Sequence, residues 1–269
     1  MADGLPDYEL FAIRYATRAA MRSEHFMGGD PHEGPMPMDY YLWVAVGTER
    51  TIVIDAGFTR EVALRRKREF LRCPVDALAL IGVDPNAVRD VVLTHLHYDH
   101  VGNFDRFPLA RFHLQEPEIH YATGRTMGNP SLSRSYEVDD VCGIINMNFA
   151  GRVMFYNGPA ELAPGVTLHP AGGHSAGLQF VRVHTRRGWV VVASDVTHFY
   201  ENMDSGRPFR TAFDVGAMLQ GFDRLRAAAP TPAHIVPGHD PKVMQRYPAA
   251  RPGLEGIVVR LDVAPHAVS

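Results

Sequence analysis

The sequence predicts an α/β fold in which two β-sheets form the core and helices pack outside them. Short apolar strands are separated by helical segments in both halves of the 269-residue chain, a pattern typical of layered α/β proteins. Hydrophobic residues make up 46% of the sequence and charged residues 21%, so a large core can be buried. The length fits one large domain or two intimately packed halves.

The first half of the chain is predicted to hold most of one sheet. Apolar runs rich in β-branched and aromatic residues, bounded by turn residues, indicate strands, and apolar residues at helical spacing indicate helices. The predicted strands are Tyr8–Thr17, Asp39–Gly47, Thr51–Asp55, Val91–Leu93 and Leu109–Gln115. The predicted helices are Arg60–Leu71, Val75–Ile81 and Glu116–Ala122.

The second half is predicted to hold a second set of strands and one long helix. Residues 124–149 are interpreted as an insertion, with a helix around Val141–Met147. The amphipathic helix is predicted over Asp214–Ala229, because Pro230 stops it. The predicted strands are Arg152–Tyr156, Val166–Pro170, Leu178–Thr185, Trp189–Ser194 and Ala233–Val236.

The segment Met21–Met38 has no regular pattern, because its glycines and prolines break both helices and strands. It also carries several methionines, Phe26, His25 and His32. Methionine-rich flexible segments adapt their shape to ligands. The segment is therefore expected either to form an apolar wall of a substrate pocket or simply to pack on the core.

The chemistry is expected to centre on residues 94–103, with the sequence T-H-L-H-Y-D-H-V-G-N. Side chains at i and i+2 of an extended strand end share a face, so His95 and His97 point the same way. Clustered imidazoles and a carboxylate suit borderline divalent metals, above all zinc. The candidate ligands in this motif are His95, His97, Asp99 and His100.

Three more polar residues follow predicted strands, where active sites are usually built. They are His174, Asp195 and His239. Taken singly, each could be a hydrogen-bonded buried histidine or a turn aspartate. Glycines next to His174 and before His239 would let the backbone approach a ligand closely. The joint pattern with the 94–103 motif predicts one metal site.

Charge and composition exclude several classes of partner. The net charge is −3 and no basic run is present, so nucleic acid is not expected. No apolar run approaches the length of a membrane span, and no secretory signal pattern is present. Cys73 and Cys142 fit a reducing compartment. A cytoplasmic protein acting on a small molecule is expected, and a homodimer is left open.

In order and spacing, H-L-H-Y-D-H at 95–100, His174, Asp195 and His239 resemble the metallo-β-lactamase superfamily. The resemblance runs from the strand at 51–57 to P-G-H-D at 237–240, which is nearly the whole chain. It implies an αββα sandwich, with residues 1–269 as a single domain. It also implies one metal held by His95, His97 and His174, a second held by Asp99, His100 and His239, and Asp195 as a bridge.

Within the superfamily, the chain is most similar to the N-acyl-homoserine-lactone lactonase branch, which hydrolyses small lactones. The commonest zinc β-lactamases have Arg at the position of His100 and Cys at that of Asp195, and the flavodiiron branch has Glu at that of His97. Those lactonases carry a Tyr three positions after the bridging Asp. This chain has His198 there and Tyr200 two positions later, so the substrate stays open.

The resemblance implies a hydrolase with two Zn²⁺ per chain, which Fe, Mn or Co could replace. Two bound dications lower the pKa of water toward about 7, so a bridging hydroxide would attack the lactone carbonyl. Asp99 would both hold metal and accept a proton, and Asp55 would orient a metal-binding imidazole. His198 is expected to contact the substrate, with Tyr200 as the alternative.

Three other functions are compatible with the same ligands. One is hydrolysis of a thioester, an amide or a cyclic imide by the same fold. Another is a mononuclear iron oxygenase, which a count of two metals would contradict. The last is a metal-binding or structural protein without catalysis, which the full set of seven candidate ligands argues against.

Overall fold

A computed structural model describes residues 4–266, so residues 1–3 and 267–269 of the predicted domain lie outside the described chain. The strands in this range are β1 (Glu9–Arg18), β2 (Met38–Val46), β3 (Thr51–Ile54), β4 (Glu69–Phe70), β5 (Asp90–Val92), β6 (Arg111–Gln115), β7 (Val153–Tyr156), β8 (Ala160–Ala163), β9 (Val166–Pro170), β10 (Gln179–Thr185), β11 (Gly188–Ser194), β12 (Ile235–Pro237) and β13 (Val258–Arg260).

These strands form two mixed sheets. The larger sheet has the order β13-β1-β2-β3-β5-β6-β7, and β4 also pairs with β1. Its β1, β2 and β3 are antiparallel neighbours, whereas β3, β5, β6 and β7 run parallel. The smaller sheet has the order β12-β11-β10-β9-β8, in which only β11 and β12 are parallel. The predicted two-sheet core is confirmed.

The α-helices are mostly short and lie between strands. They are α1 (Arg22–His25), α2 (Arg60–Arg65), α3 (Tyr98–Val101), α4 (Glu116–Ala122), α5 (Pro130–Ser133), α6 (Val138–Phe149), α7 (Tyr200–Ser205), α8 (Val215–Ala228) and α9 (Lys242–Arg246). Short 3₁₀ helices cover Asp76–Ile81, Phe104–Arg106, Arg125–Gly128 and Pro232–His234.

Alternation along β2 shows how the layers form. Tyr40 and Leu42 point into a core between the larger sheet and its helices, whereas Tyr41 and Trp43 point into the core between the two sheets. Successive side chains of a strand face opposite sides, so one fully buried strand serves both cores. A third core lies between the smaller sheet and α7 and α8. The αββα sandwich implied by the sequence is confirmed.

Several predicted elements are corrected by tertiary contacts. The helix predicted over Arg60–Leu71 ends at Arg65, because Lys67 adopts a left-handed conformation (φ 53°) and β4 then pairs with β1. The segment predicted as a helix over Val75–Ile81 is a 3₁₀ helix. Segment Met21–Met38 contains the single turn α1.

Residues 124–149 are more ordered than the sequence indicated. They contain α5 and the whole of α6, which extends the predicted helix at both ends. The backbone N–H of Tyr98, inside the 94–103 motif, donates to the carbonyl of Ser135 at 2.9 Å. The insertion therefore packs directly against the candidate site.

The strand ends place the predicted site residues at one edge of the sandwich. The parallel strands β3 and β5 are followed by Asp55 and, two residues after the end of β5, by Thr94. The parallel strands β11 and β12 are followed directly by Asp195 and Gly238. Carboxyl ends of parallel neighbours meet at the same edge, where ligands commonly bind in α/β sheets. In residues 4–266, no helix has the length and apolar character needed to cross a membrane.

Candidate metal centre

The loops after β11 and β12 are held together by backbone hydrogen bonds. Gly238 N–H donates to Thr197 at 3.0 Å, and His239 N–H donates to His198 at 2.9 Å. A Cβ on Gly238 would lie 2.7 Å from an oxygen of the Asp195 carboxylate. The glycine thus lets the loop after β12 come close to Asp195.

The buried carboxylate of Asp195 lies between two sets of imidazoles. Its Oδ2 is 3.2 Å from His174 Nε2 and 3.9 Å from His95 Nε2. Its Oδ1 is 3.0 Å from His239 Nε2 and 3.5 Å from His100 Nε2. Each oxygen therefore faces a different half of the predicted ligand set.

The candidate ligand atoms cluster as the two predicted sets. The ligand atoms of His95, His97 and His174 lie within 4.8 Å of one another. Those of Asp99, His100 and His239 also lie within 4.8 Å of one another. All six residues are buried. The structure therefore brings together the residues predicted for each metal.

The ring nitrogens that face Asp195 lack protein partners. Among the described residues, no hydrogen-bond partner is found for Nε2 of His95, His100, His174 and His239, or for Asp195 Oδ1. A buried polar atom without a partner costs about 1–3 kcal/mol. Lone pairs that converge on shared space are what a divalent cation requires, so the residues present fit a metal centre.

The other ring nitrogens are held by oxygen acceptors. Nδ1 of His174 lies 2.7 Å from the Thr211 carbonyl, and Nδ1 of His239 lies 2.8 Å from that of Asp39. Nδ1 of His100 lies 2.7 Å from the Asp55 carboxylate. Such contacts fix the tautomer so that Nε2 presents its lone pair, the usual arrangement around protein-bound metals.

Asp55 makes the contact predicted for it, and it does so in a strained conformation. Its φ is 66°, in the left-handed region, as is that of Ser194 at 47°. The Asp55 carboxylate accepts from Thr94 N–H at 2.8 Å and from the Thr94 hydroxyl at 2.9 Å, and that hydroxyl lies 2.8 Å from Ser194 Oγ. This buried hydrogen-bond network holds Asp55 and Ser194 in their strained backbone conformations. Such strained residues are common at functional sites.

Burial keeps two of the histidines neutral. It lowers the pKa of His95 and His97 well below the usual range, and neighbouring imidazoles lower both further. Neutral imidazole is the form that binds metal. His97 also packs edge-on against Tyr136 of the 124–149 insertion, at 4.7 Å between ring centres.

Asp195 stays ionised although it is buried. Burial alone would raise its pKa, but His239, His198 and His100 hold that pKa well below its usual range. For His100, burial is likewise outweighed, because Asp55, Asp195 and Asp99 raise its pKa well above normal. Without a metal ion, protonated His100 and ionised Asp195 stabilise each other, and a bound cation would take the place of the proton on His100 Nε2.

His198 lies inside the candidate centre. Its Nε2 is 2.9 Å from Asp195 Oδ2, and its ring stacks on Phe209 at 3.5 Å. Burial lowers its pKa well below the usual range. Its ligand-type atom lies within 4.8 Å of those of His174 and Asp195. The geometry thus gives His198 a second candidate role, as a further metal ligand, beside the predicted contact with substrate.

The structure places Tyr200, the alternative to His198, outside the candidate centre. Tyr200 packs in the core between the sheets, with Arg246 over its ring at 4.3 Å. It does not line the cavity in front of the centre. Tyr200 is the first residue of α7, and its side chain is buried.

A cavity of about 430 Å³ opens in front of the centre. Segment Met21–Met38 borders it through Glu24, His25 and Met38, as predicted. The predicted apolar wall is wrong, because Met21 and Met27 face outward. Burial lowers the pKa of His25 to about 4, so this histidine is neutral.

Two groups of site residues were not predicted from the sequence. One is Glu118, whose buried carboxylate accepts from Leu96 N–H at 3.0 Å and from Gly177 N–H at 2.9 Å. The other is a set of arginines along the cavity. A single glutamate in a helix and scattered loop arginines carry no pattern that would have revealed them.

The comparison with known families covers most of the chain. A family model for the metallo-beta-lactamase superfamily matches residues 37–239. The match runs from the start of β2 to the last candidate ligand, His239. It includes the edges of both sheets at which the candidate ligands lie.

Curated relatives are named as N-acyl homoserine lactonases, which confirms the predicted resemblance to that branch. The enzyme of Bacillus cereus is 29% identical over 168 residues, which are 62% of this chain and 61% of that protein. AttM of Rhizobium johnstonii is 48% identical over 132 residues, 44% of this chain and 49% of that protein. The chain thus matches less than two thirds of the length of these relatives.

Solved structures share the fold. An N-acyl homoserine lactone hydrolase with N-hexanoyl-L-homoserine at its catalytic metal centre has a TM-score of 0.73 at 20% identity, covering 90% of this chain and 96% of that one. A quorum-quenching N-acyl homoserine lactone lactonase has a TM-score of 0.73 at 22% identity, covering 88% and 94%. Because the family match spans both sheets and ends on the histidine that completes the candidate centre, the chain belongs to the metallo-beta-lactamase superfamily.

Proposed function

We propose that the chain is a dinuclear zinc hydrolase that opens a lactone or a similar cyclic ester. The observation that carries the proposal is the Asp195 carboxylate, whose two oxygens face two separate pairs of imidazoles. A carboxylate that faced only one set would serve one metal. Borderline nitrogen and oxygen ligands favour zinc, although Fe, Mn or Co use similar ligands.

The candidate ligands divide between the two ions. His95, His97 and His174 would hold one ion, Asp99, His100 and His239 the other, and Asp195 would bridge them. When bound, two divalent cations polarise an ester carbonyl and bring the pKa of water to near 7. Cys73 and Cys142 are unpaired, which supports a reducing, cytoplasmic location as part of the proposal.

In this proposal, Asp99 moves protons during ring opening. It lines the cavity, and its oxygens lie 3.8 Å from His100 Nε2 and 3.7 Å from His239 Nε2, beyond ordinary hydrogen bonds. One oxygen is therefore available to accept the proton of the attacking water. The same carboxylic acid would then deliver that proton to the alkoxide that leaves as the ring opens.

Hydrolysis assays on the purified protein test the proposal. Zinc-loaded and chelator-treated protein should be compared on lactones, thioesters, linear amides and cyclic imides. We expect lactones to be opened with the highest kcat/KM, and only by the metal-loaded protein. Faster hydrolysis of thioesters or imides would assign the activity to those bonds. Turnover that survives removal of the metal would contradict a metal-dependent hydrolase.

A further inference from the structure

The cavity in front of the candidate centre is lined by several arginines, although the chain carries a net charge of −3. Its only carboxylates besides the candidate ligands Asp99 and Asp195 belong to Glu24. A wall with this excess of positive charge raises the local concentration of anions. The arginines are Arg18, Arg66, Arg68, Arg134 and Arg210.

Two of these arginines are already neutralised inside the protein. Arg18 forms an ion pair with Glu24 at 3.1 Å. Arg66 forms one with Glu137 at 2.7 Å, and its guanidinium lies over the Tyr98 ring at 3.9 Å. These contacts account for the positions of both side chains without an external ligand.

The other three have no carboxylate partner in residues 4–266. Among the described residues, Arg18 and Arg66 form ion pairs with Glu24 and Glu137, whereas Arg68, Arg134 and Arg210 form none. Arg134 and Arg210 are exposed at the cavity wall, and Arg68 is half-buried. Three unpaired guanidinium groups around one opening remain available for an anion.

Arg68 is the most constrained of the three. Its Nε donates to the Tyr98 hydroxyl at 3.1 Å, and its Nη1 donates to the Arg66 carbonyl at 2.7 Å. In the described chain, its Nη2 makes no hydrogen bond. Because Tyr98 lies between His97 and Asp99 in the motif, Arg68 is anchored beside the candidate centre. A guanidinium held this way loses little side-chain entropy when it binds a carboxylate.

The two exposed arginines also belong to segments that contact the centre. Arg134 precedes Ser135, whose carbonyl accepts from Tyr98 N–H at 2.9 Å. Arg210 lies between Phe209, which stacks on His198, and Thr211, which accepts from His174. Three separate loops thus bring an unpaired positive charge to the same cavity.

We propose that Arg68, with Arg134 and Arg210, binds an anionic substituent of the substrate, so that the preferred lactone carries a carboxylate. This proposal rests on the proposed lactonase function, because it names the substrate class of the same site. The cavity of about 430 Å³ suits a small ring with a short substituent. A long acyl chain would need an apolar wall, and Met38 and Phe209 provide little of one.

Binding of a stable analogue tests the inference without turnover. Oxolane-2-carboxylate and its carboxamide have the same ring, and neither is a lactone. Calorimetry on the zinc-loaded protein should show roughly tenfold tighter binding of the carboxylate, and Arg68→Gln should remove most of this roughly tenfold preference while leaving the carboxamide unchanged. Arg68→Lys should retain part of the preference. Arg251→Gln, an exposed arginine away from the cavity, should behave as wild type.

Kinetics on the matching lactones separates the two proposals. The γ-lactone 5-oxooxolane-2-carboxylate should be opened with a higher kcat/KM than its carboxamide. The double variant Arg134→Gln/Arg210→Gln should reduce both this advantage and its dependence on salt. If the carboxylate lactone and its carboxamide are opened equally well, and the arginine variants do not change their ratio, the carboxylate inference is overturned and the lactonase function still stands. Arginine-dependent binding of the analogue without any lactone opening would support the inference and contradict the function. Because Arg134 and Arg210 are exposed, the double variant decides the question if Arg68→Gln does not fold.

Discussion

At the scale of single residues, Asp195 and the imidazoles around it form a site whose stability depends on a ligand. Four Nε2 atoms are buried and unpaired among the described residues, and each such atom costs about 1–3 kcal/mol. A fold would not retain this cost at one strand edge without compensation. Cations that pair with these nitrogens would provide it, and would stabilise the folded chain by mass action.

His198 provides a sharp test of roles within the centre. We expect His198→Ala to keep both metals and to lower turnover by about 10²-fold, a typical loss for a residue that donates to a carbonyl or a leaving oxygen. Tyr200→Phe is the matched control. It should retain full activity, because the Tyr200 ring packs between the sheets.

Metal content and turnover of both variants distinguish the outcomes. If His198→Ala loses a metal ion, His198 is a ligand, as its distance of 2.9 Å from Asp195 also permits. Full activity in His198→Ala together with a collapse in Tyr200→Phe would return the substrate contact to Tyr200.

At the scale of elements, helix α4 fastens the two histidine loops to each other. Glu118 is fully buried, and its carboxylate accepts from Leu96 between His95 and His97, from Gly177 after His174, and from the Tyr136 hydroxyl at 3.1 Å. One side chain therefore sets the distance between ligands from different sheets. Its role is positioning, since it does not line the cavity.

Removing the charge of Glu118 should loosen the centre. In Glu118→Gln, the amide nitrogen must face one of the backbone N–H donors, so we expect a loss of roughly 2–3 kcal/mol in the free energy of unfolding. Metal affinity should fall with it. Glu116→Gln, on the exposed side of the same helix, is the control for denaturant unfolding and metal retention. Unchanged stability and metal content in Glu118→Gln would show that the contacts to Leu96 and Gly177 are dispensable.

Helix α6 carries a carboxylate that should make stability depend on pH. Burial, with help from Glu137 and Asp139, raises the pKa of Asp140 to about 7. Between its unfolded pKa, about 3.9, and that value, the folded chain binds a proton that the unfolded chain has released. The contribution of Asp140 to the free energy of unfolding therefore declines as pH rises through this window.

Asp140→Asn should remove this dependence. The difference in the free energy of unfolding between Asp140→Asn and wild type should be on the order of 1–2 kcal/mol more favourable to the variant at pH 8 than at pH 5.5. Chemical denaturation at both pH values measures the difference, and any pH-linked loss of metal cancels between the two proteins. A gain that is equal at both pH values would show that Asp140 is not the titrating group.

At the scale of the whole molecule, the sequence predicted the fold and indicated the residues that cluster at the candidate centre, because both leave local signals. β2 and β11 are long apolar runs, and candidate ligands stand soon after strands, as His95 does three residues after β5 and Asp195 directly after β11. What stayed hidden depends on distant contacts. β8 and β13 are short strands at sheet edges. The residues of β8, Ala160–Ala163, include no β-branched side chain that would indicate a strand.

The cavity wall was hidden for the same reason. Arg68 follows the early end of α2, which Lys67 and the pairing of β4 with β1 determine. Arg134 and Arg210 lie in loops whose positions are set by contacts with Tyr98 and His174. Nothing in the local sequence distinguishes these arginines from ordinary surface residues, so a methionine-lined wall was expected in place of a charged one.

The metal content of the wild type and of Asp195→Ala tests the central claim, that one carboxylate joins two metal sites. Elemental analysis after mild dialysis should find about two equivalents of zinc, or of a substitute metal, per wild-type chain. The Asp195→Ala protein should keep about one equivalent or less, because the second site has fewer imidazoles and depends more on the bridge. A reproducible single iron in the wild type, or two equivalents retained without Asp195, would contradict the account.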